Sequence, residues 1–206
     1  MIATQFFASA KKNWLRILFC VVLFVGIALF VTWRLPQTCD AGSTLTVSRS
    51  NTIKQENVDY YLYDNYYSIQ SGAFLADNIA GWLASPPIVA NIYQKASVNL
   101  PETNYNALSK QFLVKKLSQN SNVISFSLNW GNQDEAIKLV KAANEYITEM
   151  VEELNTDQKD VSAHYTVNTS EPVVIAVKKG YIINSLIAAT LALIISGLSL
   201  LYTSKE

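Results

Sequence analysis

Tyrosines are unusually dense in one short stretch, YYLYDNYY at positions 60–67, where they occupy five of eight residues. A phenol ring can stack on a ligand, exchange hydrogen bonds through its hydroxyl, or pack against protein. At helical spacing Tyr66 belongs with the apolar residues around it and is predicted to pack. Tyr63 and Tyr67 fall on a neighbouring stripe that continues to Phe74. We expect this second stripe to contact another helix or a neighbouring protomer, with stacking of sugar rings as the alternative.

Groups able to perform acid–base or metal chemistry are few. The single histidine, His164, is predicted to lie on the polar face of a short strand, and no nearby residue completes a catalytic triad or a metal site. Two acidic pairs, at positions 134–135 and 152–153, fall on the polar side of an amphipathic helix. The first pair occupies the opening turn, where the helix dipole favours carboxylates. These patterns predict a protein that is not an enzyme and holds no metal.

Patterns that bind nucleotides or nucleic acids are also missing from the sequence. The seven glycines form neither a GxGxxG pattern nor a Walker loop, so no cofactor is expected. Residues 35–180 contain 15 acidic and 11 basic residues and no basic patch, which argues against nucleic acid as a partner. Cys20 lies inside an apolar run and Cys39 just beyond it, so the two are not expected to pair. Cys39 is interpreted as a small loop residue, with a disulfide between protomers as the alternative.

Two apolar segments, at positions 14–33 and 181–202, are long enough to cross a bilayer and carry aromatic residues at both ends. A cleaved signal peptide is the alternative for the first segment, but its exit lacks a small-x-small cleavage pattern. In the second segment, small residues recur every four positions, which suits close packing against the first helix or a neighbouring protomer. These candidate interface residues are Ala188, Ala192 and Ser196.

Basic residues near the first segment predict the topology. Lys11, Lys12 and Arg16 precede it, so we expect tail 1–13 and the short tail 203–206 to be cytoplasmic. Residues 34–180 then form a domain outside the cytoplasm, and the chain is a two-pass protein of the plasma (inner) membrane. Two lysines before the second segment, at positions 178 and 179, oppose this orientation, although a long translocated loop is largely exempt from the rule.

The predicted outer domain combines strands and helices. Alternating apolar residues predict three strands, at positions 44–49, 123–130 and 162–168. Helical periodicity predicts a long helix over 58–84, a new helix from Ser85 to 96, a shorter helix over 107–117, and a strongly amphipathic helix after Asn132. Asn132 and Glu135 have the spacing of a capping box. The fold class is therefore α+β or α/β, with a small three-stranded sheet, long amphipathic helices and crossover connections.

The layout resembles the polysaccharide co-polymerases, the Wzz-type chain length determinants of surface polysaccharides such as lipopolysaccharide. The resemblance rests on STLTVSRS just after the first membrane segment, and on SNVISFSLNWGNQDEAIKLVKAANEYITE, a strand followed by an acidic turn and a helix carrying AAN. Three features depart from the family. The outer domain is short, the proline-rich approach to the second segment is reduced to Pro172, and the tail carries no kinase domain.

The resemblance implies a non-catalytic scaffold whose protomers assemble side by side in the membrane. Such a scaffold would modulate the chain length or export of a polysaccharide, with a polymerase or export machinery and the glycan as its partners. Two alternatives remain from other classes. One is a membrane-anchored sensor or ligand-binding module outside the cytoplasm, and the other is an accessory subunit of another envelope complex.

Overall fold

Alternating side chains on the first strand, β1 (Cys39–Arg49), form the centre of the larger folded unit. Leu45 and Val47 are fully buried, whereas Thr44 and Thr46 lie on the half-exposed face, as the alternation predicts. The computed structural model describes four parts of the chain: residues 11–49, 64–101, 104–159 and 164–203. The chain divides into two compact units, one of residues 38–177 and the other of residues 1–37 with 178–206.

Within the described residues, five strands, not three, form the sheet of the larger unit. They are β1, β2 (Leu113–Lys116), β3 (Val123–Trp130), β4 (Tyr165–Thr169) and β5 (Val173–Ala176). The spatial order is β2-β3-β1-β4, and β5 pairs with β1 beyond the end of β4. Every pairing between neighbouring strands is antiparallel, for example Leu45 opposite Ile124.

The helices are α2 (Asp64–Leu83), α3 (Pro86–Lys95), the short α4 (Tyr105–Leu108) and α5 (Gln133–Thr156). Helices α2 to α4 connect β1 to β2, which run in the same direction with β3 between them. Helix α5 connects β3 to β4 in the same way around β1. The predicted crossover connections are therefore present. Each joins two parallel strands that are separated by one antiparallel strand. This is the β-α-β-β-α-β order of ferredoxin-like folds, an α+β rather than an α/β architecture.

Three predictions for the secondary structure are wrong in detail. The helix predicted over 107–117 is instead α4 followed by β2, and β5 was not predicted at all. The third strand begins at Tyr165, so His164 precedes the strand instead of lying on its polar face. The helix predicted over 58–84 is confirmed from Asp64 to Leu83, and its first six positions lie outside the described residues.

Helix α5 begins after Asn132 as its sequence predicts, but only the Asn132 half of the predicted capping box is present. The side chain of Asn132 caps it by accepting hydrogen bonds from the backbone N–H groups of Asp134 at 2.9 Å and Glu135 at 3.4 Å. The carboxylate of Glu135 accepts a hydrogen bond from Nε1 of Trp130 at 2.7 Å, which ties the helix start to the end of β3. The stripe of Ala136, Val140, Ala143, Ile147 and Val151 is buried in the core.

The smaller unit is a pair of helices, α1 (Trp14–Arg34) and α6 (Tyr181–Thr203). Both are long and apolar enough to cross a membrane. They run antiparallel, because the end of α1 meets the start of α6: Nδ2 of Asn184 donates to Oγ1 of Thr32 at 3.0 Å, and Nζ of Lys179 donates to the carbonyl of Trp33 at 2.9 Å. The predicted small-residue stripe of α6 is buried in this unit.

Candidate functional site

An open pocket lies where one face of α2 meets the turn between β2 and β3. Its volume is about 240 Å³. We call it the Phe74 pocket, and its lining is Tyr66, Ile69, Gln70, Ala73, Phe74, Asp77, Gln119 and Asn120. Along α2, each of the six helical residues has another lining residue three or four positions away, so all six share one face of the helix. The last two residues belong to the turn, which closes one side.

Large apolar side chains are exposed at this pocket. The exposed fractions are 62% for Tyr66, 65% for Ile69 and 62% for Phe74. Tyr66, which was predicted to pack, is therefore mostly exposed, although Ala73 on the same stripe is buried. Clustered exposed apolar residues of this size commonly mark a binding surface.

Helix α2 packs against the sheet with its opposite face. A Cβ atom at Gly72 would lie 3.4 Å from the carbonyl oxygen of Val47, two residues before β1 ends. Gly72 is therefore a point of close approach between α2 and β1. Beyond Gly72, the side chains of Leu75, Ile79 and Leu83 are buried in the core.

A lysine fixes one wall of the pocket. Nζ of Lys116 donates to Oδ1 of Asp77 at 2.7 Å, to the carbonyl of Gln119 at 3.0 Å and to the carbonyl of Ala73 at 3.3 Å. All three N–H groups of the ammonium are thus engaged, and its side chain is 14% exposed. Lys116 therefore joins the helix to the turn and holds the Asp77 carboxylate beside the pocket.

The lining combines aromatic rings with hydrogen-bond donors and hydrogen-bond acceptors. Gln70, Gln119 and Asn120 each present an amide that both donates and accepts, whereas the carboxylate of Asp77 accepts only. Apolar walls with a few convergent polar groups are the usual composition of a small-ligand site. A ligand with a flat C–H face and a rim of hydroxyls matches both parts, since the face packs on a ring and the rim bonds to the amides.

A second, shallower depression lies on the open face of the sheet, above Gly42. Its volume is about 280 Å³ and it is lined by serine, threonine and apolar side chains that include Val173 and Ile175. A Cβ atom at Gly42 would lie 2.6 Å from the carbonyl oxygen of Phe126, so the two strands approach each other closely here. Its lining also includes Asp40 and Phe126, and the side chain of Phe126 is buried in the core.

Beneath this face is a buried polar cluster. Nδ2 of Asn144 donates to Oγ of Ser43 at 3.0 Å and to the carbonyl of Ser170 at 3.2 Å, and Oγ of Ser43 donates to the same carbonyl at 2.9 Å. Ser170 lies in the gap between β4 and β5, opposite the middle of β1. The cluster satisfies backbone groups that the broken edge strand leaves inside the domain, which is a structural role.

His164 and Cys39, for which no catalytic role was predicted, both lie beside backbone carbonyls, and Cys39 begins β1 instead of lying in the predicted loop. Nε2 of His164 lies 3.1 Å from the carbonyl of Gln158. Burial, and then the neighbouring Asp40, raise the pKa of the Cys39 thiol. That thiol is only 6% exposed and donates to the carbonyl of Trp130 at 3.4 Å, so it is not presented to a second chain. Among the described residues, no three His, Cys, Asp or Glu side chains are grouped to hold a metal ion.

The predicted interface residues divide between the two units. Phe74 lines the pocket, and Tyr67 belongs to α2. Tyr63 lies outside the described residues. The small residues of α6 are buried, with exposed fractions of 8% for Ala188, 0% for Ala192 and 5% for Ser196. In the described part of the chain, α6 packs against α1, and these three residues are buried there.

Four lining residues of the pocket were not predicted from the sequence, namely Gln70, Asp77, Gln119 and Asn120. The polar run SQNSN at positions 118–122 carries a turn signal that points to the last two. That signal leads to the pocket only if β2 is recognised as a strand, because the hairpin it forms with β3 brings the turn to α2. No protein-family model matches the chain, and comparison with curated proteins finds no match.

Proposed function

We propose that the chain is a non-catalytic, oligomeric membrane scaffold that holds a surface polysaccharide and modulates its chain length or export. The observation that carries this proposal is the Phe74 pocket, whose aromatic rings and amides suit a sugar. The resemblance of the sequence to polysaccharide co-polymerases supports the same function. Polysaccharide and its polymerase or export machinery are the proposed partners, and no cofactor is invoked.

Sugar recognition follows from the chemistry of the lining. The exposed rings of Tyr66 and Phe74 offer apolar surface to the C–H face of a pyranose. The amides of Gln119 and Asn120 can exchange hydrogen bonds with its hydroxyls. Because the pocket is open and small, it accommodates one or two residues of a polymer and lets the remainder run across the surface. A scaffold needs such weak contacts, repeated in each protomer.

Anchoring follows from the two apolar helices. In the larger unit, the backbone N–H of Val177 donates to the carbonyl of Thr38 at 2.9 Å, so the chain enters and leaves that unit at adjacent points. In the smaller unit, the end of α1 is bonded to the start of α6. This geometry suits a domain inserted into a membrane hairpin. We propose that the domain is extracytoplasmic and that both tails are cytoplasmic, in the plasma (inner) membrane.

Assembly would use two tyrosines of the dense tyrosine stretch at positions 60–67. Tyr63 and Tyr67 are the residues proposed to contact a neighbouring protomer, with Phe74 of the same stripe turned to the sugar. Replacing both tyrosines by serine is then expected to reduce the oligomer in mild detergent while the domain stays folded. Purification of the unchanged chain as a monomer alone would contradict the scaffold. It would favour the second candidate, a membrane-anchored binding module, which the pocket supports without any assembly.

Deletion of the gene, followed by gel analysis of surface glycan, tests the proposed function. The scaffold predicts a shifted or broadened distribution of glycan lengths, restored when the unchanged chain is supplied again. An unchanged length distribution and unchanged export in the deletion strain would exclude the function. If the chain binds sugar but the deletion strain has unchanged glycan, the result would instead favour an accessory subunit of another envelope complex.

A further inference from the structure

A groove on the surface of the helix pair has a lining different from that of the Phe74 pocket. Its volume is about 490 Å³, and we call it the hairpin groove. Its lining is Val25, Leu29, Tyr181, Ile182, Ser185, Leu186 and Ala189. From Tyr181 to Ala189 the groove follows α6 for roughly 12 Å, at about 1.5 Å per residue. Nearly all of its lining is hydrocarbon, which suits an alkyl chain.

Three basic residues lie near the end of the hairpin groove that is lined by Tyr181. Lys179 donates to the carbonyl of Trp33 at 2.9 Å, so its ammonium lies at the residue that precedes Arg34, and Lys178 is its neighbour in the chain. The Arg34 guanidinium lies over the rings of Phe30 and Trp33, with 5.6 Å and 5.7 Å to the ring centres. No aspartate or glutamate occurs in residues 11–37 or 178–203. The three cations therefore have no carboxylate in the described part of this unit.

We propose that the hairpin groove binds an anionic phospholipid, with an acyl chain along the groove and the phosphate at Lys178, Lys179 and Arg34. Charge complementarity favours this occupant, because a zwitterionic lipid offers the cations no net charge and a second apolar helix leaves them unpaired. The site is held in shape by the two hydrogen bonds that join the helix ends. It also accounts for the two lysines that oppose the predicted topology. This inference requires the helices to lie in a membrane and is independent of polysaccharide.

Native mass spectrometry of the full chain tests the site. The chain is purified in mild detergent and supplied with equal amounts of dioleoyl phosphatidylglycerol and dioleoyl phosphatidylcholine. We expect phosphatidylglycerol to be retained preferentially. Lys178→Gln leaves the bond between Lys179 and Trp33 intact and is expected to lower the preference about fivefold. The double change Lys178→Gln with Lys179→Gln lowers it further.

Matched controls separate the site from general charge and hydrophobicity. Ala189→Phe fills the groove and is expected to reduce retention of both lipids, whereas Ile194→Phe, at an exposed position outside the groove, leaves it unchanged. The double change Lys11→Gln with Lys12→Gln removes the same charge as the double change at Lys178 and Lys179, but near the start of α1. It is expected to preserve the preference for phosphatidylglycerol. The proposal would be overturned if changing Lys11 and Lys12 lowered the preference for phosphatidylglycerol as much as changing Lys178 and Lys179. Unchanged lipid retention in Ala189→Phe, or purification of the unchanged chain as a dimer without bound lipid, would overturn it as well.

Discussion

The ammonium nitrogen of Lys116 lies 2.7 Å from Oδ1 of Asp77, and the same nitrogen donates to two carbonyl groups on separate elements. One side chain of a short edge strand thus joins helix α2 to the turn that closes the Phe74 pocket. Because Asp77 is 57% exposed at its side chain, water screens the charge pair. The hydrogen bond from Lys116 to the carbonyl of Ala73 is less exposed to water than its ion pair with Asp77.

Loss of the Lys116 side-chain nitrogen is expected to weaken the domain and open the pocket. Lys116→Met keeps the aliphatic stem but removes three donors, so we predict a loss of about 1–2 kcal/mol in the free energy of unfolding. Urea denaturation monitored by tryptophan fluorescence measures this value. Lys115→Met, at the exposed neighbouring position, is the control and should change stability by less than about 0.5 kcal/mol. Equal effects at the two positions would contradict the role given to Lys116.

The buried amide of Asn144 is predicted to support the break between β4 and β5. Asn144→Leu removes the donor to Ser43 and Ser170 inside the core and is expected to cost about 2–3 kcal/mol of unfolding free energy. Asn91→Leu is the comparison, because the Asn91 amide donates to the Tyr146 hydroxyl at an exposed position where water can replace it. That change is expected to stay within about 0.5 kcal/mol. Similar costs for both changes would show that burial of the cluster contributes nothing.

The phenol of Tyr93 is predicted to make stability fall at alkaline pH. Burial raises its pKa to about 12, whereas a tyrosine in the unfolded chain titrates near 10. Between these values the unfolded chain loses a proton that the folded chain keeps, so the stabilisation is complete below about pH 10 and declines toward pH 12. Tyr93→Phe should remove this component from the pH dependence of the unfolding midpoint. Tyr105→Phe, at an exposed position, should retain it. Identical pH profiles for the two variants would contradict the assignment.

Two glycines are expected to respond oppositely to alanine. At Gly42 the new Cβ would meet the carbonyl oxygen of Phe126 at 2.6 Å, so Gly42→Ala should destabilise the domain by about 1–3 kcal/mol. Gly81 lies in α2 with nothing within 4 Å of a new Cβ, so Gly81→Ala should stabilise it by about 0.5–1 kcal/mol. Thermal unfolding of both variants measures the signs. A gain in stability at Gly42 would show that the strands can separate without cost.

Periodicity predicted the faces of long elements well. The alternation in β1 and β3 and the stripe on α5 identified buried residues such as Leu45, Ile124 and Ile147. The prediction failed at the start of α2, because a helical stripe shows which face is apolar but not whether another element covers it. Tyr66 and Ile69 belong to the stripe, yet they are 62% and 65% exposed.

Short elements were the other source of error. The segment around Leu113 has apolar residues that fit either a helix or a strand, and at four residues β2 is too short for its period to decide. The Phe74 pocket depends on this strand, since the hairpin places Gln119 and Asn120 against α2. Of the aromatic lining, only Phe74 was predicted to lie at an interface, and the polar half of the pocket required the tertiary structure.

Saturation-transfer NMR with oligosaccharides released from the cell's own surface polysaccharide tests the central claim most directly. The full chain in mild detergent should transfer saturation to ring protons of the sugar. Phe74→Ala should weaken binding about threefold to tenfold, and Phe74→Trp should preserve it. Ile175→Ala removes a comparably exposed apolar side chain from the sheet face and should change nothing. Absence of transfer to any of these oligosaccharides, or equal transfer with Phe74→Ala, would contradict a saccharide site at the Phe74 pocket.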